Sequence, residues 1–329
     1  MLLRRIGLSL LMVVLTISMI FVLLRVSPHN PAFTALQGLM AKGIPYSIAS
    51  ERVKIEYNIN FSTPLYVQYL TYLWQLLHGN LGHSYLFPTT PIALVVLHAL
   101  PWTVFSVGIA LVMMFVSGVA MGAIAAFNRQ GWFDKIISPV SSILSGLPNY
   151  ITGTILLYFF AALLGWFPLT GAYGTGTVPG LNFPFIFSAL YHVVLPAGAY
   201  AISGFGYYVL MMRSNTVSTL NEDFVVGARA RGIPRERIMS RYVAPNSILP
   251  MVTHVVLALA GMLGGSVFVE AIFSYPGVGQ LFGLAAGAYD YPLMQAEFLF
   301  LSSTVIFANL LADLLYMKVD PRIRLEDVA

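Results

Sequence analysis

The sequence predicts an all-α integral membrane protein with six transmembrane helices, a large extracytoplasmic loop region and a cytoplasmic helical hairpin. Three observations predict it. Of 329 residues, 58% are hydrophobic and 9% are charged, whereas an ordinary soluble domain has about a quarter of its residues charged. No Lys, Arg, Asp or Glu occurs between Tyr57 and Asn128, between Ile136 and Met212, or between Tyr242 and Val269. The basic residues are also segregated among the segments that separate the apolar runs.

One crossing of a hydrocarbon core takes about 20 apolar residues. Residues 6–24 form such a run between Arg4, Arg5 and Arg25. Val26-Ser27-Pro28 is no small-residue cleavage site, so the run reads as a retained first span and not a signal peptide. The second span is 100–127, opening at Pro101, where proline suits a first helical turn. The uncharged stretch that follows is too long for one crossing. Gly165, Pro168, Gly171, Gly174, Gly176, Pro179, Gly180 and Pro184 break it, leaving spans at 136–164 and 185–212. The fifth and sixth spans are 247–268 and 293–317. The chain divides into an N-terminal helix (1–26), an extracytoplasmic region (27–97), a core of five spans (98–319) that includes the inner segment 213–245, and a tail (320–329).

Six crossings put both termini on one side. With the termini inside, 13 of the 17 basic residues are cytoplasmic and only Arg25, Lys42, Arg52 and Lys54 are outside. The excess of inner positive charge places the termini in the cytoplasm and the chain in the cell membrane. A net charge of +4 is too small to suggest nucleic acid, and the absence of Cys removes disulfides and thiolate metal sites.

Two non-spanning segments are long enough for work of their own. Within 27–97, residues 64–78 read as an amphipathic helix, with Thr63 as N-cap, Pro64 at the first position and Gly79 past the end. Such a helix lies at the bilayer interface, covers a cavity or docks an external partner. The inner segment 213–245 carries six arginines against Glu222, Asp223 and Glu236. Residues 222–231 suit a helix with Phe224, Val225 and Ala228 on one face, stopped by Gly232, and Ile233-Pro234 starts a second short helix. Either this hairpin docks a partner, or it fixes topology and touches anionic lipid.

The segment from Glu222 to Gly232, with Pro245 thirteen residues later, resembles the cytoplasmic loop of ABC import permeases. In that family an E-A-A triplet, a following glycine and a distal proline mark the part that docks on the ATPase. Gly232 and Pro245 match, but the triplet falls on Val226-Gly227-Ala228, without its acidic residue. Residues 64–69 (PLYVQY), 78–84 (HGNLGHS), 273–279 (FSYPGVG), 290–292 (DYP), Asn309 to Asp313, and Asp320-Pro321-Arg322 are similar to the dipeptide, oligopeptide and nickel import branch, B-type subunit. Leu100-Pro101-Trp102-Thr103 adds weaker likeness. His29-Asn30-Pro31 stands where the family often has Gly-Asp-Pro.

The resemblance implies the type I importer permease fold and a heterodimer with a second, homologous permease. It also implies two cytoplasmic ATPase subunits that hold ATP and Mg, and an extracytoplasmic solute-binding protein. It assigns ATPase coupling to Glu222, Asp223, Phe224, Val225, Ala228, Arg229, Arg231, Gly232 and Pro245. Peptides are the expected cargo, with nickel or oligosaccharides as alternatives.

The chain itself shows no catalytic constellation. It has no Gly-Lys pair for a phosphate loop and no His-Glu pair for a zinc protease. It also lacks the GxSxG elbow. No cofactor is expected on it. His192 and His254 read as hydrogen-bonded packing residues before metal ligands. Gly118 with Gly122, and Gly261 with Gly265, have the spacing for close helix contact in lipid. Acidic groups inside a span face the bundle or a cavity, so Glu297, Asn309 and Asp313 are candidates for the translocation pathway. Glu297 also reads as a helix-end group reaching the interface, and Asp313 as an inner anchor paired with an Arg. A rival class, an ATP-independent secondary transporter or channel, calls for inverted repeats and a mid-membrane ion site; the sequence shows neither.

Overall fold

The structure is a computed structural model that describes residues 2–26, 31–57 and 63–319. The tail 320–329 with Asp320-Pro321-Arg322, and His29 and Asn30, lie outside the described residues. In chain order the helices are α1 (Leu2–Val26), α2 (Pro31–Ala41), α3 (Tyr46–Tyr57), α4 (Leu65–Leu77), α5 (Ile92–Phe127), α6 (Trp132–Ser145) and α7 (Asn149–Leu156). There follow α8 (Phe183–Thr219), α9 (Asp223–Ala230), α10 (Arg235–Ile238), α11 (Ala244–Gly265), α12 (Val267–Ile272), α13 (Val278–Gly287) and α14 (Tyr291–Val319). A π-helical turn, Leu157–Leu163, extends α7, and another, Met239–Val243, joins α10 to α11.

Among the described residues five helices are long and apolar enough to cross a membrane, and six if α6 and the extended α7 form one broken span. That break corrects the uninterrupted third span over 136–164. The α6 helix ends at Gly146, whose N–H donates to Ile143, and Pro148 opens α7. The two halves meet at 101°. A proline has no N–H to continue a helix, and the preceding residue is pushed out of helical geometry.

Pro101 is likewise not at a first turn. It lies inside α5, which begins at Ile92. The apolar stretch before Pro101 is compatible with a helix, and neighbouring groups in membrane helices tolerate the missing bond. The α4 helix starts one residue late, with Pro64 and not Thr63 at the N-cap position. Gly79 closes it at φ 71°, its N–H donating to Leu76.

The chain forms two compact units. One comprises Met1–Pro101 and Gln280–Phe307. In it α2 and α3 pack around Leu36, Ala49 and Val53, two helices within the region expected as an extracytoplasmic loop. Tyr69 and Tyr72 of α4 pack on Phe21 of α1, with ring centroids 5.3 and 5.9 Å apart. Tyr66, Leu70, Trp74 and Leu77 stay exposed, so α4 holds the first span with one face and offers an apolar one outward.

The other unit comprises Trp102–Gly279 and Ala308–Ala329, and α8 is its hub. A Cβ on Gly118 or Gly122 would come within 2.5 Å of Tyr208 or Val209 of α8, so this glycine pair permits the close contact its spacing predicts. Gly206 similarly meets the Ser141 carbonyl of α6. Gly261 behaves differently: a Cβ there would meet nothing within 4 Å, so it is no contact site, and the surroundings of Gly265 lie outside the described residues.

Candidate functional site

The 222–245 segment folds as a self-contained hairpin. Glu222 occupies the N-cap of α9 in extended geometry, and Asp223 in the first turn and Arg229 in the last have the signs the helix dipole favours. Arg231 is the C-cap. Gly232 takes φ 71°, donating to Arg229 while Ile233 donates to Ala228, so the glycine stop is a left-handed helix ending. Pro245 lies in the first turn of α11 and is exposed.

The apolar face of α9 differs from the expected one. Val225 and Ala228 are fully buried with Ile238 and Val243 as the core of the hairpin itself. Phe224 is not part of that face: it is 43% exposed, beside the exposed Val226. The sequence puts Phe224, Val225 and Ala228 on one face, but the second arm of the hairpin takes up Val225 and Ala228, three residues apart and so on one side of the helix, and leaves Phe224 outward. The surface left for a partner is therefore Phe224 and Val226, framed by exposed Glu222, Asp223, Arg229 and Arg231.

The pathway candidates separate. Glu297 of α14 is fully buried within the unit containing α1. Asn309 is exposed and falls in the other unit. The Asp313 side chain lies outside the described residues, and its expected pairing with an arginine falls there with it.

The sequence motifs find partners instead. In one unit, Ser84 of HGNLGHS donates to Asp290 of DYP. Asp290 also accepts from Leu86 N at 3.0 Å and from Leu293 N at 3.2 Å, so one buried carboxylate holds a turn and starts α14. In the other unit, FSYPGVG wraps over α12. Thr103 Oγ1 accepts from Val278 N at 2.9 Å, and Trp102 packs edge-on against Tyr275 at 6.0 Å. The Glu270 carboxylate, fully buried, accepts from Gly279 N at 2.8 Å. Burial and then the charge of Glu270 raise the Tyr275 phenol well above its ordinary pKa. Ser274 has φ 45°, a conformation that costs a non-glycine residue about 1–2 kcal/mol, and the surrounding bonds hold it there.

Sequence reasoning missed Glu270, which sits just past an apolar run and looks like a loop acid. It also missed the Asp134–Arg213 ion pair, at 2.5 Å, between residues far apart in sequence. His192 bonds the Ser188 carbonyl of its own helix at 2.7 Å, and His254 lies 3.3 Å from the Tyr207 hydroxyl, as packing residues do.

Residues 118–325 match the family described as binding-protein-dependent transport system inner membrane component. The chain is 32% identical over 304 residues to the oligopeptide transport system permease protein AppB of Bacillus subtilis, covering 92% of each chain. Two structures of the MetNI methionine ABC transporter in inward-facing conformations contain a chain of similar fold. One matches at TM-score 0.55 with 14% identity, over 69% of this chain and 96% of that one. The other matches at TM-score 0.56 with 15% identity, over 70% and 99%.

Proposed function

This chain belongs to the family of binding-protein-dependent transport system inner membrane components, as a permease subunit of an ABC importer, and we propose that the solute it conducts is a peptide. The likeness to an oligopeptide permease over 92% of both chains carries that reading. Permeases of this family do not hydrolyse ATP themselves; they work with ATPase subunits and a binding protein. The rival of an ATP-independent transporter falls with the family assignment.

In the finer reading the partners are a second, homologous permease, two cytoplasmic ATPases that carry ATP and Mg, and an extracytoplasmic binding protein. The 222–245 hairpin docks on an ATPase through Phe224 and Val226. Nucleotide then biases the spans between inward- and outward-facing states, which requires binding energy that differs between the two. Six spans with both termini in the cytoplasm agree with the segregated basic charge. Asn309 is the better placed pathway candidate, because Glu297 is enclosed by its own chain and meets solute only if α14 moves. The test is co-purification of the binding protein with mass spectrometry of its bound solute. A peptide is expected; a nickel complex or an oligosaccharide would replace the cargo while leaving the machinery as stated.

A further inference from the structure

The α5 helix ends at Phe127, and the last carbonyls of a helix have no partner within it. The Phe127 carbonyl accepts a hydrogen bond from the Arg235 guanidinium, at the start of α10. The same guanidinium lies over the Phe127 ring, its central carbon 4.4 Å from the ring centroid. A cation is favoured at a helix C-terminus by the dipole and over a ring by the quadrupole. Two distinct attractions thus join one residue of the hairpin to one residue of a membrane-spanning helix.

Around this pair the hairpin is not packed solidly against the helix end. A cavity of about 430 Å³ lies there, with Leu220, Ile233, Ile238 and Met239 on its apolar side and Arg229 beside them. Apolar walls around such a space can slide past one another, whereas a directional bond with a stacked ring transmits displacement. Arg is suited to both roles at once, because its planar fork donates in the plane while its face covers a ring.

We propose that Arg235 is a positioning residue of the transport cycle, a strut that delivers movement of the 222–245 hairpin to the inner end of α5. The proposal rests on the reading of that hairpin as the ATPase-coupling element. It adds the connection by which the movement leaves the hairpin.

The chain has no Cys, so Asn128→Cys, at an exposed position just past the inner end of α5, reports on that helix end without background. The complete importer is reconstituted in liposomes, and labelling by a water-soluble maleimide is timed without nucleotide and after vanadate trapping of ADP on the ATPases. Asn128→Cys alone is expected to change labelling rate between the two states. Adding Arg235→Gln should shrink that change by about threefold or more while trapping is retained, since both attractions are lost. Arg235→Lys, which keeps the charge, should restore part of it. Phe127→Leu keeps the carbonyl and loses the ring, and should give a smaller reduction; it carries the test alone if Arg235→Gln fails to assemble. An unaltered change in Arg235→Gln, or in Phe127→Leu where that stands alone, overturns the strut. So does Lys performing no better than Gln, or no change in the parent. Phe224→Ala separates the underlying reading: loss there with retention in Arg235→Gln sinks the strut only, and retention in both sinks the coupling role of the hairpin.

Discussion

Arg213 of α8 grips Asp134 of α6 at two points, Nε to Oδ1 at 2.5 Å and Nη2 to Oδ2 at 2.9 Å. Asp134 is 4% exposed and also accepts from Gln130 N and Ser138 Oγ, each at 2.9 Å. The carboxylate thus organises the turn before α6 and ties that helix to α8, close to where the sequence places the cytoplasmic boundary. Fork-to-carboxylate pairing is geometrically demanding, which fixes the rotation of the two helices as well as their separation.

Removing one partner should cost more than removing both. Arg213→Met leaves a carboxylate with its strongest donor gone, a loss of about 2 kcal/mol or more, reduced from the fully buried case by the partial exposure of Arg213. The measurement is the thermal midpoint of the purified permease in detergent, expected to fall by several degrees. Asp134→Leu combined with Arg213→Met should be milder than the sum of the single changes. Strict additivity would show that the two residues do not act as a pair.

The FSYPGVG segment makes a second, steric prediction. A Cβ at residue 277 would run into the Glu270 carboxylate and the Thr103 hydroxyl. Gly277→Ala should therefore destabilise by about 1–3 kcal/mol, the usual cost of overfilling a packed site. Gly261→Ala is the control, with nothing within 4 Å of the added carbon; there the gain in helix propensity, up to about 1 kcal/mol, should prevail. Equal effects at both positions would remove the packing argument for the segment.

Much of this architecture was legible because lipid imposes a simple rule: apolar runs of the right length cross, and arginines stay where they are. Gly232 was legible for the same kind of reason, since a glycine between two helix-forming arms has few other uses. The break at 146–148 was not, because it lies inside one uncharged run and is marked only by Gly146 and Pro148. The grouping of Phe224 with Val225 and Ala228 on one face did not hold, because the face that closes is chosen by Ile238 and Val243 on the other arm, which take up only the last two. Glu270 and Asp290 were hidden for a further reason. Part of what each carboxylate does depends on a distant segment: Thr103 meets the loop that Glu270 holds, and Ser84 bonds Asp290, pairings that no local pattern announces.

Orientation can be read chemically. Because no native Cys competes, single cysteines at the exposed positions Gln75 and Asn221 can be labelled on intact cells with an impermeant maleimide. Gln75→Cys should react, and Asn221→Cys should react only after permeabilisation, as the 13-to-4 division of basic residues requires. The reverse pattern would invert every assignment of side.

The last prediction concerns the proposed docking of the hairpin on an ATPase, and the geometry divides it into three substitutions with different outcomes. Phe224 is 43% exposed and contributes nothing to the hairpin core. Phe224→Ala should therefore leave the hairpin folded and remove an aromatic anchor, which at an interface is worth about 2 kcal/mol or more. Val225 is fully buried, so Val225→Asp places a charge in an apolar core, and its cost of several kcal/mol should fall on the hairpin itself. Gly232 sits at φ 71° with open space around it, so Gly232→Val meets no clash and pays only for the left-handed backbone, about 1–2 kcal/mol. All three variants should insert and pair with the proposed second permease, since the spans are untouched. Co-purification with the ATPases, followed by uptake and hydrolysis assays in liposomes, separates them. Phe224→Ala should weaken ATPase retention, or leave the subunits bound while uptake and solute-stimulated hydrolysis fall together. Val225→Asp should do both and also make the loop protease-sensitive, and Gly232→Val should lie between them. If a flexible polar linker in place of 222–241 supported full assembly and uptake, the hairpin would be a topology signal and nothing more.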